Sequence, residues 1–148
     1  MWDKLIATDD SWAPFWVRLF LGIVIFPHGA QKLLGWFGGG GFGGTLDFFS
    51  STWGIPALVT VLIIIAEFFG ALGLIVGFLT RLCAVGIGLV MAGAMFMVHW
   101  PNGFFMNWMG NQQGEGYEFH LLVIGMCLAL LAGGGGKFSV DRMLMKEG

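Results

Sequence analysis

Four long apolar segments constrain the fold of this chain more than any other feature of its sequence. They cover residues 12–34, 55–79, 82–100 and 117–132. The hydrocarbon core of a bilayer is about 30 Å thick, so a helix needs roughly 20 apolar residues to cross it. Only 11% of the residues are charged, whereas ordinary soluble domains carry about 25%. We therefore expect an integral membrane protein.

Each apolar segment is predicted to be an α-helix, because backbone N–H and C=O groups find no other hydrogen-bonding partners in lipid. The second and third segments are separated only by Thr80 and Arg81, which predicts a tight antiparallel hairpin. The links over residues 35–54 and 101–116 are rich in glycine, polar and aromatic residues and do not resemble independent domains. The sequence thus predicts an all-α integral membrane four-helix bundle, built as a single domain over residues 1–148.

The basic residues predict how this bundle is oriented. In a protein with four spans, both termini and the turn between the second and third spans lie on one side of the membrane. That side carries six of the seven lysine and arginine residues: Lys4, Arg18, Arg81, Lys137, Arg142 and Lys146. Only Lys32 belongs to the other side. Because basic residues are enriched in cytoplasmic segments, we expect both termini in the cytoplasm and the two long links outside.

The ionisable residues of the spans are predicted to gather in the outer half of the bundle. A helical rise of ~1.5 Å per residue, counted from basic residues at the inner ends of the spans, converts sequence spacing into depth. His28 then lies about 15 Å from the inner surface, and Lys32 and Glu67 both lie about 21 Å from it. Two further histidines and a glutamate follow at about 26–29 Å. Together these residues form the predicted ligand and proton site: His28, Lys32, Glu67, His99, Glu118 and His120.

Glu67 is the most informative of these residues, because it lies within the apolar run VTVLIIIAEFFGALGLIVG. An isolated carboxylate at that depth is costly, so it must be neutral, hydrated or paired. Lys32, predicted at the same depth, is the expected partner. Two interpretations stay open: a purely structural ion pair between helices, and a carboxylate that handles protons or a ligand.

The histidines also allow several interpretations. They could serve only as hydrogen-bonding groups at the membrane surface. An imidazole can also bond the headgroup of a quinone and pass a proton. A metal ion or haem would use the same residue types. The candidate metal ligands are His28, His99, His120 and Glu67. The cofactor is thus undetermined, and a quinone is favoured over a metal ion or haem.

Five stretches of the sequence resemble the DoxX family of small bacterial four-helix membrane proteins. An H-G-x-x-K motif lies within RLFLGIVIFPHGAQKLLGWFGG, and a G-x-G-K-x-S-x-D motif lies within GGGGKFSVDRML. Between them come AEFFGALGLIVGFLTRL, the region around His99, and EGYEFHLLV. The resemblance implies a multi-pass protein of the bacterial inner (plasma) membrane that acts as a subunit linked to redox chemistry.

These features favour a redox-associated integral membrane subunit with an outer-leaflet polar site for a quinone-like headgroup or a metal-containing cofactor. The alternative is a non-catalytic membrane scaffold that anchors a partner oxidoreductase. Whether the chain is itself an enzyme is left open, because its two cysteines do not form a CxxC pair. The expected partners are the lipid bilayer, an oxidoreductase subunit and further copies of this chain. A net charge of −2 without a basic face argues against nucleic acid.

Overall fold

The computed structural model describes residues 2–147, and this part of the chain is all-helical, without a β-strand. The seven α-helices are α1 (Trp2–Ile6), α2 (Trp12–Leu34), α3 (Gly41–Trp53), α4 (Ala57–Val76), α5 (Thr80–Ala94), α6 (Glu118–Gly133) and α7 (Val140–Glu147). A π-helical turn (Met95–His99) and a 3₁₀ turn (Trp100–Asn102) extend α5.

Three helices in residues 2–147 are long and apolar enough to cross a membrane, namely α2, α4 and α5 with its extension to Asn102. Helix α2 has the predicted bounds, whereas α4 is shorter than the predicted segment 55–79. Helix α5 begins at Thr80 instead of at residue 82. The fourth predicted span, α6, is apolar but has only 16 residues, which is about 24 Å of helix. These helices make the chain a helical membrane protein.

The first long link contains a helix, α3, that the sequence does not predict. The first four residues of α3 are GFGG, and glycine has a low intrinsic helix propensity, so the helical signal is weak. Packing against α2 and α4 compensates for this. Thr45 Oγ1 also donates a 3.1 Å hydrogen bond to the carbonyl of Lys32 near the end of α2. The short helices α1 and α7 are likewise absent from the sequence prediction.

The four long helices pack as a ring around one core. Helix α2 contacts α4 and α6, and helix α5 contacts the same two helices. Buried apolar side chains from all four helices form the core: Leu21, Ile25, Ala71, Leu74, Ala84, Ile87, Met91, Val123, Cys127 and Leu130. Many other large apolar side chains point away from the core and are exposed, as expected of a surface that contacts lipid.

Two glycines allow α2 to lie directly against α4. A β-carbon at Gly22 would lie 2.7 Å from Ile75 Cγ1, and one at Gly29 would lie 2.5 Å from Phe68 Cα. A larger residue at either position would therefore push the two helices apart. Small residues are the usual means of close helix packing in membranes, because lipid provides no hydrophobic driving force between helices.

The end of the bundle that carries the chain termini, here named the inner end, is organised by a buried arginine on α2; the opposite end is named the outer end. Arg18 is 1% exposed, and its guanidinium donates five hydrogen bonds to backbone carbonyls. Two acceptors, Leu74 and Ile75, lie in the last turn of α4, where carbonyls have no partner within the helix. The other three acceptors lie after α6: Gly135, Lys137 and Phe138. Arg18 therefore joins three parts of the chain inside the protein instead of facing solvent.

A buried aspartate from the C-terminal segment holds the turn between α4 and α5. Asp141 accepts hydrogen bonds from the backbone N–H groups of Leu79 at 2.7 Å and Thr80 at 2.9 Å. Leu79 has a φ of 48°, in the left-handed region that side-chain-bearing residues seldom adopt. In the same segment Ser139 Oγ accepts a 3.2 Å bond from the N–H of Arg142. The G-x-G-K-x-S-x-D motif therefore stabilises the inner end of the bundle.

Replacing Arg18 with methionine should destabilise the bundle strongly, because five backbone carbonyls lose their donor. We expect a loss of about 3 kcal/mol or more, which corresponds to a fall of roughly 10 °C in melting temperature. Thermal unfolding of the detergent-purified protein, followed by gel filtration, measures this. The control is Arg142→Met, because Arg142 pairs with the exposed side chain of Asp10 and should contribute less than about 1 kcal/mol. Equal losses in the two variants would contradict the anchoring role of Arg18.

Candidate functional site

An ion pair joins α2 and α4 in the outer half of the bundle. Lys32 Nζ lies 2.5 Å from Glu67 Oε2, so the predicted pair is present. The side chain of Lys32 is 21% exposed, whereas that of Glu67 is 5% exposed. The two atoms have the separation of an ion pair but not the angles of a hydrogen bond. Lys32 is the one polar partner of Glu67 Oε2 among the described residues.

The H-G-x-x-K motif provides the geometry of this pair. His28 and Lys32 are one helical turn apart and share a side of α2. Gly29, between them, lies against the backbone of Glu67 and Phe68 on α4. Because no side chain separates the two backbones at this point, the lysine side chain reaches the buried carboxylate.

His99 and His120 form a second polar group, between α5 and α6. Their ring centroids are 4.1 Å apart, and the ring planes are inclined at 37°. His99 Nδ1 lies 2.8 Å from the backbone oxygen of Glu115. A carbonyl oxygen can only accept a hydrogen bond, so this nitrogen carries the proton. His120 is buried, and its Nδ1 has no hydrogen-bonding partner in residues 2–147.

The π-helical turn at the end of α5 positions the histidine pair. His99 is the last residue of that turn, and π-turns occur frequently at functional sites. The next residue, Trp100, stacks on Tyr117 with ring centroids 5.0 Å apart and an interplanar angle of 12°. Since Tyr117 directly precedes α6, this stack fixes the outer end of α5 against the start of α6. His99 is thereby held beside His120.

One cavity of about 1680 Å³ connects the ion pair and the histidine pair. Its titratable side chains at the outer end are His28, Lys32, Glu67, His99, Glu115 and His120. The core residues Ile25 and Met91 also line it and form its floor. Phe49 and Trp53 of α3 and Met106 of the second link complete the lining at this end. All four long helices and both outer links therefore contribute to one site.

Five of the six predicted site residues line this cavity, and Glu118 does not. Glu118 Oε1 instead accepts a 3.0 Å hydrogen bond from the N–H of Met106, so it holds the second link in place. His28 and His99, which come from helices on different sides of the ring, line the same cavity. Their joint role in ligand binding stays a prediction.

The candidate metal ligands are not arranged as a metal site. Among the described residues, no group of three or more histidine, cysteine, aspartate and glutamate side chains could hold a metal ion. Within the predicted set of His28, His99, His120 and Glu67, His99 bonds a backbone carbonyl and Glu67 pairs with Lys32. The geometry therefore does not support the metal interpretation.

Several lining residues are not apparent from the sequence. Glu115 contributes its backbone oxygen, which no side-chain motif can reveal, and Met106 is placed by its bond to Glu118. Phe49 and Trp53 reach the cavity only because α3 folds onto α2 and α4. The one sequence signal for Phe49 and Trp53 is that the links are rich in aromatic residues.

The fold and this site define a helical membrane protein whose polar side chains meet in a cavity at one end of the bundle. The pattern of the DoxX family matches residues 13–100, from α2 to the end of α5, and the chain belongs to the DoxX family. It is also similar to "Putative oxidoreductase CatD" of Bacillus subtilis (strain 168), with 31% identity over 114 residues. This similarity covers 77% of the present chain and 75% of that protein. No solved structure matches the chain.

Separate removal of Lys32 and Glu67 should have unequal effects on stability. Lys32→Met leaves a buried carboxylate without a cation and should cost about 3–5 kcal/mol unless the group is neutralised. Glu67→Gln should cost less, because the long lysine side chain is partly exposed and can extend toward water. The double variant should recover part of the loss. Melting temperatures of the four proteins in detergent give the coupling energy.

A second cycle, combining Lys32→Met with Glu118→Gln, is the control. Glu118 bonds the N–H of Met106, so its effect and that of Lys32 should be additive. If the stability losses of Lys32→Met and Glu67→Gln are also additive, the ion pair contributes nothing to stability.

Proposed function

We propose that this chain is a redox-associated membrane subunit whose outer cavity binds the headgroup of a quinone. One atom carries the proposal, His120 Nδ1, which is buried, lacks a hydrogen-bonding partner among the described residues and belongs to a residue that lines the cavity. Buried polar groups in proteins nearly always have such partners. An exception at a cavity, beside the buried carboxylate of Glu67, favours a ligand that supplies the missing hydrogen bond. Membership of the DoxX family and similarity to a protein named as an oxidoreductase favour a redox ligand.

A quinone headgroup matches the side chains of His120 and Glu67 chemically. Its carbonyl oxygens accept hydrogen bonds, and the hydroxyl groups of the reduced form donate them. In this proposal His120 Nδ1 donates to a carbonyl, and Glu67 Oε2 accepts from a hydroxyl. An imidazole and a carboxylate at one ligand can also move its protons. Electrons would be exchanged with a partner oxidoreductase, so the proposed role of this chain is binding and proton handling.

We also propose that the chain crosses the bacterial plasma membrane four times, as one domain with both termini in the cytoplasm. The distribution of basic residues supports this orientation. Helix α6 completes the ring between α2 and α5, which favours α6 as the fourth span despite its 16 residues. In this orientation the cavity lies in the outer leaflet.

A scaffold that anchors a partner oxidoreductase is the second candidate function. The short contact between Lys32 and Glu67, beside the closely packed Gly29, favours it. Such a contact fixes α2 against α4 without any ligand. A scaffold does not account for the unpartnered nitrogen of His120 at the cavity, and for this reason we rank it second.

A pair of matched glycine substitutions tests the quinone proposal. Gly93 lines the cavity and Gly125 lies on α6, away from it, and a β-carbon at either position would meet no atom within 4 Å. Gly93→Leu should fill the cavity beside the polar groups and abolish quinone binding, whereas Gly125→Leu should leave binding intact. Both changes should preserve the fold, because leucine is the better helix former. The measurement is quinone content after solvent extraction of the detergent-purified proteins, before and after incubation with menaquinone.

Polar substitutions complete this experiment. His28→Ala and Glu67→Ala should lower quinone retention in protein that still elutes as a folded species. If the unchanged protein neither retains nor takes up a quinone, or if Gly93→Leu and Gly125→Leu bind it equally, the quinone proposal is wrong and the scaffold is the better interpretation.

Cysteine labelling tests the proposed orientation. In a background without Cys83 and Cys127, Asn111→Cys should react with a membrane-impermeant maleimide in spheroplasts of the host cells. Asp9→Cys, in the exposed segment before α2, should react only after the membrane is permeabilised. The reverse pattern would place the termini outside and the cavity in the inner leaflet.

A further inference from the structure

The cavity is much longer than the polar site at its outer end. At about 1680 Å³ it exceeds the range of about 300–1,000 Å³ typical of small-molecule pockets. Beyond Glu67 its lining continues along α4 to Val76, nine residues or about 14 Å further toward the inner surface. A headgroup alone would leave this long extension unfilled.

The extension is an apolar groove between α4 and α5. Its exposed walls are aliphatic side chains of both helices: Leu72, Val76, Val85 and Leu89. Glycines of both helices also line it: Gly70, Gly73, Gly86 and Gly93. A β-carbon at Gly73 would lie 2.6 Å from Cys83 Sγ, whereas one at Gly93 would meet nothing within 4 Å. The helix hairpin is therefore tightly packed near its turn and open beside the polar site.

We infer that the ligand of this site is a polyprenyl quinone, and that its isoprenoid tail lies in the groove between α4 and α5. This inference rests on the quinone function proposed above and adds the class of quinone and the place of its tail. The lining carries imidazole and charged groups only at the outer end, and the rest is aliphatic or glycine apart from the aromatic rings and Cys83. A molecule with one polar ring and one long apolar chain has the same distribution.

The charges of the site distinguish this ligand from an ordinary phospholipid. Lys32 is the one lysine or arginine among the lining residues, and it is already paired with Glu67. The carboxylate of Glu67 would repel a phosphate but can accept a bond from a neutral hydroxyl. The site therefore favours an uncharged headgroup. A helix of a partner protein, about 10 Å wide, would not reach His120, because His120 lines the cavity but is buried.

The groove should act on the position of the tail more than on affinity. Lipid chains are as apolar as the aliphatic walls, so moving the tail from the bilayer into the groove gives no hydrophobic gain. The appropriate experiment therefore measures where the tail lies. A menaquinone analogue with a diazirine on its tail, about 14 Å from the ring, is photolysed with the complete protein in vesicles, and the labelled residues are mapped by mass spectrometry.

The expected result is labelling concentrated on the groove residues of α4 and α5, severalfold above that of the exposed α6 residues Leu122 and Leu128. Excess unlabelled menaquinone should remove it. Uniform labelling of all lipid-facing residues, or labelling that is not competed, means that bulk lipid fills the groove and overturns the inference. Cross-links from the groove to a second protein chain would assign it to a partner helix and would overturn it as well.

A matched pair of variants separates the tail from the headgroup. Leu89, on the groove, and Leu122, on α6, are each 69% exposed. Leu89→Trp should narrow the groove and reduce labelling there severalfold, whereas Leu122→Trp should not. A tailless naphthoquinone should bind the unchanged protein and both variants equally.

Headgroup binding without groove labelling overturns the tail inference and leaves the proposed function standing. Failure of the tailless quinone to bind any of the three proteins contradicts the proposed function itself.

Discussion

The guanidinium of Arg18 is the interaction on which the inner end of this bundle depends. It donates to the last carbonyls of α4 and to the segment after α6, so three parts of the chain share one buried cation. The position is favourable electrostatically, because the C-terminal end of a helix carries partial negative charge. Asp141 complements it by binding the first N–H groups of α5. Both charged side chains are 1% exposed and find their partners within the protein.

The outer end is built differently. Lys32 pairs with Glu67 and His99 bonds the carbonyl of Glu115, yet Nδ1 of His120 has no hydrogen bond among the described residues. This atom is informative because unpartnered buried polar groups are costly. Thr80 Oγ1 and Arg81 Nε near the inner end are also buried without partners in the described part of the chain, but of these three residues only His120 lines the cavity.

Glycine links helix packing to the chemistry of the site. Gly29 lets the backbones of α2 and α4 touch, and only that close approach allows Lys32 to reach Glu67. In the hairpin of α4 and α5, Gly93 lines the cavity and leaves open space, because a β-carbon there would meet no atom within 4 Å. The missing side chain of Gly29 thus permits the backbone contact that the ion pair needs. The missing side chain of Gly93 leaves open space in the cavity.

The sequence by itself determined the parts of this protein that depend on local chemistry. The backbone N–H and C=O groups of long apolar segments find hydrogen-bonding partners in lipid only if the segments are helical. Four helices were therefore predicted near their observed positions. Matching depth predicted the pair of Lys32 and Glu67. Tertiary structure alone decided the rest. Helix α3 forms from a glycine-rich segment because it packs on α2 and α4, and Arg18 is buried because distant carbonyls surround it. Glu118 has the depth of a site residue but turns to Met106, since depth along a helix does not determine the direction in which a side chain points.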